Sequence, residues 1–280
     1  MLWALSLNVP IVLLRAYRAQ VYLAYLKHPV PMRAMVPIQL VGQTSSSLTP
    51  AASGDYVRAY LWRQSGNVPV RVGAAVVTFE RLFSLGLLIA VSVLLIVLPR
   101  HGIPGWVAVA AGIALATLSP ILIELMPSNL ERWAMARVTR GPLRRFAEGG
   151  QVMLEQIRAL MRAPVVLGWT SFLTLVIFIA GGAQIWLVLD SLGHLVPITQ
   201  AVAASTTSQV AGIISTLPFG IGSQDAILVT VFAGYGVTVA LAATVAVLVR
   251  AVSTLPQGLA GLVAYLLVEK PAPRTVMEIE

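Results

Sequence analysis

Four stretches of this chain are long and apolar enough to cross a bilayer: residues 70–98, 106–126, 165–189 and 237–268. A spanning helix needs about 20 mostly apolar residues, and in hydrocarbon it must satisfy its own backbone. The composition agrees. Of the 280 residues, 58% are hydrophobic and 11% are charged, whereas a soluble domain carries roughly 25% charged residues. The expected fold class is therefore all-α, a polytopic helical membrane protein forming one integral membrane domain over residues 1–280.

A fifth candidate span, residues 2–26, is interrupted by Pro10, Arg15 and Arg18. No small-residue cleavage site follows a short apolar core, so it does not read as a signal peptide. Two further apolar stretches are too short or too broken to span. Residues 34–48 end in Gln43-Thr44-Ser45-Ser46-Ser47, followed by Thr49-Pro50. Residues 199–217 contain Ser205-Thr206-Thr207-Ser208-Gln209, followed by Pro218. Each leads through a glycine-containing turn into a short helix, expected at 55–64 and 223–234. Broken backbone at membrane depth survives only inside protein or along a cavity. Both stretches are accordingly expected to be re-entrant hairpins.

Lysine and arginine set the orientation. Residues 127–164 hold Arg132, Arg137, Arg140, Arg144, Arg145, Arg158 and Arg162, and the tail holds Lys270 and Arg274. Lys27, Arg33, Arg58, Arg63 and Arg71 surround the first broken stretch, whereas residues 163–249 contain neither lysine nor arginine. Basic loops stay cytoplasmic, which places loop 127–164 and the C-terminus in the cytoplasm, on the inner face of the inner, cytoplasmic membrane. Residues 130–161 alternate arginine with apolar residues, the pattern of an amphipathic helix pair at the membrane surface. The N-terminus then falls outside with almost nothing before its helix, the start expected of a chain whose preceding helix is missing.

The two broken stretches look like copies. The first reads Pro50-x3-Gly54-Asp55, then Gly66, then Arg81; the second reads Pro218-x3-Gly222-Ser223-Gln224-Asp225, then Gly236, then Arg250. The arginine follows the turn glycine by 27 positions in one and 28 in the other. Three expected spans separate them, and an odd number inverts the second copy. The expected organisation is repeat 1 over about 2–98, a linking helix and cytoplasmic loop over 99–163, repeat 2 over about 164–268 and a tail over 269–280. Inverted broken helices meeting at the midplane are common in transporters.

Arg81 lies about 16 Å into its helix and Arg250 at similar depth. A charge there costs about 2.5–3.5 kcal/mol or more and needs a partner or a wet cavity. One reading is a structural bridge such as Glu80 with Arg250. The other is that Arg81 and Arg250 meet and share a phosphate, which the planar guanidinium grips in a fork. The turns Gly54-Asp55 and Gly222-Ser223 offer helix-start N–H groups to an anion. Asp55 and Asp225 either cap those helices or bind a headgroup amine or a proton. Arg58, three residues after Asp55, is a gate to the phosphate or a surface pair. No cysteine is present and the histidines are scattered, so no metal is expected. No catalytic constellation is visible, and no cofactor or nucleic-acid partner is expected.

The pattern Pro50-Ala-Ala-Ser-Gly54-Asp55-Tyr-Val-Arg58-Ala, Gly66, Phe79-Glu80-Arg81-Leu82 resembles the flippase-like transmembrane domain of the lysyl-phosphatidylglycerol synthases. So does Leu217-Pro218-Phe-Gly220-Ile-Gly222-Ser-Gln-Asp225-Ala226, Gly236, Leu248-Val249-Arg250. That family usually has Glu at the positions of Asp55 and Asp225. Its first helix and its soluble aminoacyl-transferase domain have no counterpart here. The resemblance implies a carrier of an anionic or aminoacylated phospholipid, or of a polyprenyl-phosphate-linked lipid. The alternatives are a membrane transferase acting on a lipid headgroup and a non-catalytic subunit of an envelope-assembly complex. The partners to expect are the lipid itself, and a second copy of the chain or an envelope-biosynthesis protein.

Overall fold

A computed structural model describes residues 1–97, 142–215 and 217–267, and every regular element among them is helical. The expected span at 106–126, Arg132, Arg137, Arg140, Lys270 and Arg274 lie outside the described residues. Helices α1 (Leu2–Ser6), α2 (Asn8–Tyr25) and α3 (Met32–Leu48) lead into a 3-10 segment (Pro50–Tyr56) and α4 (Val57–Gly66). Then come α5 (Val70–Val97), α6 (Pro142–Met161), α7 (Pro164–Ser191) and α8 (Ile198–Ile214). A 3-10 turn (Pro218–Gly220) leads to α9 (Ser223–Gly234), α10 (Val239–Val249), a π turn (Arg250–Thr254) and α11 (Leu255–Leu267).

Three helices among the described residues are long and apolar enough to cross a membrane: Val70–Ile96, Pro164–Ser191 and Val239–Leu266. They match three of the expected spans. The N-terminal stretch, expected as a fifth, is not one of these helices. Asn8, Arg15, Arg18 and Gln20 dilute its hydropathy, and α2 buries Ala16, Ala19, Tyr22 and Leu23 against its neighbours instead. Of the helix pair expected over residues 130–161, the described part is one helix, α6, which buries Ile157 and Leu160.

The first broken stretch is helical to Leu48 and the second to Ile214, and each is followed by a proline. Pro50 and Pro218 each open a 3-10 turn, because proline has no N–H to continue the ladder. After the second proline the chain reverses through positive φ at Phe219 (55°), Gly220 (59°) and Gly222 (83°). In the first, Asp55 lies inside the 3-10 segment. It therefore does not open α4, which begins at Val57.

Close helix contacts depend on glycine, as is usual where backbones must approach within a membrane. A Cβ on Gly73 would stand 2.9 Å from the Cα of Ala59, joining α5 to α4. One on Gly182 would stand 2.7 Å from the Cα of Val202, joining α7 to α8. One on Gly261 would stand 2.7 Å from the carbonyl oxygen of Leu40, joining α11 to α3.

The π turn has a local cause. Pro256 cannot donate to the carbonyl of Val252, and the Asn8 amide donates to that carbonyl at 2.7 Å instead. Asn8 Oδ1 accepts from Gln257 at 2.7 Å and from Gln184 at 3.2 Å. Gln43 reaches Gln257 from α3. This amide chain ties α2, α3, α7 and α11 together where water is scarce.

Candidate functional site

Arg15 and Arg18 are three residues apart on α2 and share a face. They converge on a cavity of about 480 Å³ that is also lined by Gln39 and Gln43 of α3, Asp55, Arg58 of α4, and Glu80 and Arg81 of α5. The lining thus contains four arginines and two carboxylates.

Glu80 is 3% exposed and is held from two sides. Arg18 donates to Oε1 through Nε at 3.2 Å and Nη2 at 2.5 Å, and its Nη1 donates to the Thr174 hydroxyl at 2.7 Å. Arg58 donates from Nη1 to Glu80 Oε2 at 2.9 Å and to Gln39 Oε1 at 2.8 Å. The other edge of Arg58 meets Asp55, with Nη2 2.8 Å from Oδ2 and Nε 2.7 Å from Oδ1. The guanidinium also stands 5.4 Å from the ring centre of Trp62, a cation–π contact. Arg58 is 2% exposed. It lies flat along α3 because residue 42 is glycine; a Cβ there would overlap its aliphatic stem.

Arg81 is half-buried, its Nε 3.9 Å from Asp55 Oδ2. Arg15 lines the same cavity and makes no ion pair or hydrogen bond within the described residues. Every carboxylate oxygen in the cluster has an arginine nitrogen within 3 Å. The cluster therefore holds two more positive charges than negative ones, and Arg15 is the guanidinium that no carboxylate holds in an ion pair.

The second turn is arranged differently. Arg250 grips Asp225 through Nε–Oδ1 and Nη2–Oδ2 contacts, both 2.8 Å. Its Nη1 also donates to the carbonyl of Phe219 at 3.1 Å and its Nη2 to that of Gly220 at 3.4 Å. Asp225 Oδ2 also accepts from the Gly222 N–H at 3.1 Å, capping α9. The Ser223 hydroxyl is bonded to Ser215 at 2.7 Å.

Three expectations are corrected by this geometry. Glu80 pairs with Arg18 and Arg58 rather than with Arg250, which has its own carboxylate. Among the described residues, Arg81 lines the cavity around Glu80 and Arg250 does not. The N–H groups of the two turn glycines, Gly54 and Gly222, are taken within the protein. That of Gly54 donates to the Thr49 hydroxyl at 2.6 Å, and that of Gly222 to Asp225. Gly54 is needed for packing, since a Cβ would strike the Ser45 carbonyl. Arg58 is neither a surface pair nor an exposed gate but the most enclosed charge of the cluster.

In the sequence, Arg15 and Arg18 stand out only as interruptions of an apolar stretch. Their signal was present, because two arginines one turn apart in an apolar helix are as costly as Arg81 and need the same explanation.

A second cavity of about 230 Å³ adjoins the first and shares Ser46, Gln209 and Ile213 with it. Ser47, Thr49, Gln224 and Thr254 are among its other walls, and no charged side chain lines it. Gly54, Gly222, Ser223, Asp225 and Arg250 line neither cavity.

The family described as lysylphosphatidylglycerol synthase TM region matches residues 1–261. Comparison with curated proteins and with solved structures gives no match.

Proposed function

From the premise that this chain belongs to the lysylphosphatidylglycerol synthase TM region family, we propose that it is a flippase-like carrier of a lipid phosphate, for which the cluster around Glu80 is the headgroup site. One observation carries this reading. A charge cluster enclosed by apolar helices has an excess of two positive charges and opens onto a cavity. Arginine at such depth is costly without a counter-charge, and a phosphate supplies one. Arg15, which no carboxylate holds in an ion pair, is the residue for it, while Arg18 and Arg58 hold Glu80 and Asp55 and Arg81 lines the same cavity. Moving a lipid requires no covalent step, so the carrier works without a nucleophile or a metal.

The two helix–turn–helix units fit this function as re-entrant hairpins of an inverted repeat. The first, α3 to α4, would open from the cytoplasm, and the second, α8 to α9, from the outside of the inner membrane. The arginine asymmetry supports that orientation. Cysteines placed at residues 191–195 should then label only from the outside, and cysteines in the 142–161 helix only from the cytoplasm. Labelling of both from one side would rule out the inverted arrangement.

The decisive experiment is lipid movement in proteoliposomes. Arg15→Gln and Arg81→Gln should each slow it about tenfold or more, the worth of a lost hydrogen bond to a charged group. Insertion should be unchanged. Wild-type rates in both variants would mean that the cavity is not the lipid path.

A further inference from the structure

The amide chain that begins at the π turn has a direction, and it ends at a residue of the first cavity. Pro256 leaves the Val252 carbonyl without a helical donor. The Asn8 amide nitrogen donates to that carbonyl at 2.7 Å and to the Leu5 carbonyl at 2.9 Å. A carbonyl only accepts, so the nitrogen of Asn8 is fixed on that side and its Oδ1 faces the other way. Oδ1 accepts from Gln257 Nε2 at 2.7 Å. Gln257 therefore turns its amide oxygen toward α3, where it accepts from Gln43 Nε2. Each link leaves the next amide one orientation, so none of the three can flip alone. Gln43 Oε1 is thereby set as an acceptor at the end of the chain. It is buried and has no hydrogen-bond partner among the described residues. The neighbouring hydroxyls are directed elsewhere. Ser47 donates to the Gln43 backbone carbonyl at 3.0 Å, and Thr44 to the Gln257 backbone carbonyl at 3.4 Å. Gln39, one turn earlier on the same face of α3, shows the contrast, since its Oε1 accepts from Arg58 at 2.8 Å. Both glutamines line the cavity that Arg15 lines. A buried acceptor without a donor is costly, and a ligand in that cavity can bring one.

We infer that Gln43 is a specificity-determining residue of the first cavity. Its amide oxygen accepts a hydrogen bond from the headgroup, so a phosphate lipid whose headgroup carries an O–H or N–H donor is held over one that has none. This rests on the reading of the first cavity as a lipid-phosphate site and deepens it. A buried acceptor discriminates sharply against an analogue that lacks the donor, because binding that analogue leaves the acceptor unpaired. Two sources share the chemistry, a hydroxyl and an ammonium group.

The test is retention of defined lipids by the full chain in phosphatidylcholine nanodiscs, read by native mass spectrometry. Two matched pairs isolate the donor. Phosphatidylglycerol and phosphatidylmethanol carry the same phosphodiester charge, and only the first has a headgroup hydroxyl. Phosphatidylethanolamine and the surrounding phosphatidylcholine are both zwitterions, and only the first has an N–H. The donor lipid should be retained about tenfold over its partner in at least one pair, and the pair that separates names the source. If neither pair separates while both anionic lipids stay above the phosphatidylcholine background, the inference is overturned and the phosphate site stands. Retention of no probe above that background would overturn both. Gln43→Met keeps the length and removes the amide, and it should bring the donor preference to within about twofold of unity. Each ratio compares two lipids in one preparation, so partial unfolding of the variant leaves it unchanged. Gln184→Leu breaks the amide chain on the α7 side and leaves Gln43 held by Gln257, so it should keep the preference. A preference that survives Gln43→Met, or that falls equally in Gln184→Leu, would overturn the role of Gln43.

Discussion

The turn after α3 and the turn after α8 are written in the same residues and end in different electrostatics. Each has proline, then glycine four positions on, then an aspartate, then an arginine one helix later. At the second turn the charges balance: one arginine, one carboxylate, and two backbone carbonyls that also accept from the arginine. At the first turn two helices from elsewhere intrude. Helix α2 adds Arg15 and Arg18, and α5 adds Glu80, so the local pair of Asp55 and Arg58 becomes part of a cluster with excess positive charge. A shared motif thus serves as a closed structural clasp in one place and as the floor of a charged cavity in the other. What distinguishes them is not the motif but the neighbours that packing brings to it.

The largest contrast should come from removing the central cation of each region. Arg58→Met would leave Asp55 and Glu80 facing each other with less compensation in a buried site, at about 3–5 kcal/mol. Thermal unfolding of the purified protein would measure it. If Arg250→Met costs as much, the two turns are energetically equivalent and the contrast fails.

Gly42→Ala should come next. Its methyl group would push into the stem of Arg58, and overpacking of this kind costs about 1–3 kcal/mol. Gly222→Ala has nothing within 4 Å of its Cβ, so only its φ of 83° opposes the change. A Gly42→Ala variant as stable as wild type would mean that Arg58 has room to move.

Asp225→Asn tests the closed clasp. The pair is about one-quarter to one-third exposed, so about 1–2 kcal/mol is expected, between the values for exposed and buried pairs. Lipid movement should persist at near the wild-type rate once the protein is folded. Loss of movement without loss of stability would bring Arg250 back into the transport path.

The smallest effect on stability should be that of Arg15→Gln, within about 0.5 kcal/mol of wild type, although the same change is expected to slow lipid movement about tenfold or more. That separation of folding from function is the sharpest form of the comparison, since Arg58 should show the reverse weighting.

Much of this arrangement was legible in the chain. The apolar runs at 70–98, 165–189 and 237–268 are each long enough to demand a spanning helix. The two prolines mark where the 3-10 turns after α3 and α8 begin, because a missing N–H acts locally. Arg81 and Arg250 could be singled out as costly charges in apolar surroundings, and Asp55, Arg58 and Glu80 as candidate site residues beside them.

Their partners could not be assigned in the same way. Arg18 reaches Glu80 across 62 positions and Thr174 across 156, and Asn8 reaches the carbonyl freed by Pro256 across 244. Local sequence determined that α2 would be a helix with two arginines on one face. It also determined that each turn would need an arginine to be matched. The packing of α2 against α3 and α7, and of α3 against α5 through α4, decided which carboxylate matched which arginine. Helical periodicity acts over a few residues and sets which side chains share a face. Coulomb attraction depends on distance in space, and only the packed bundle supplies that distance.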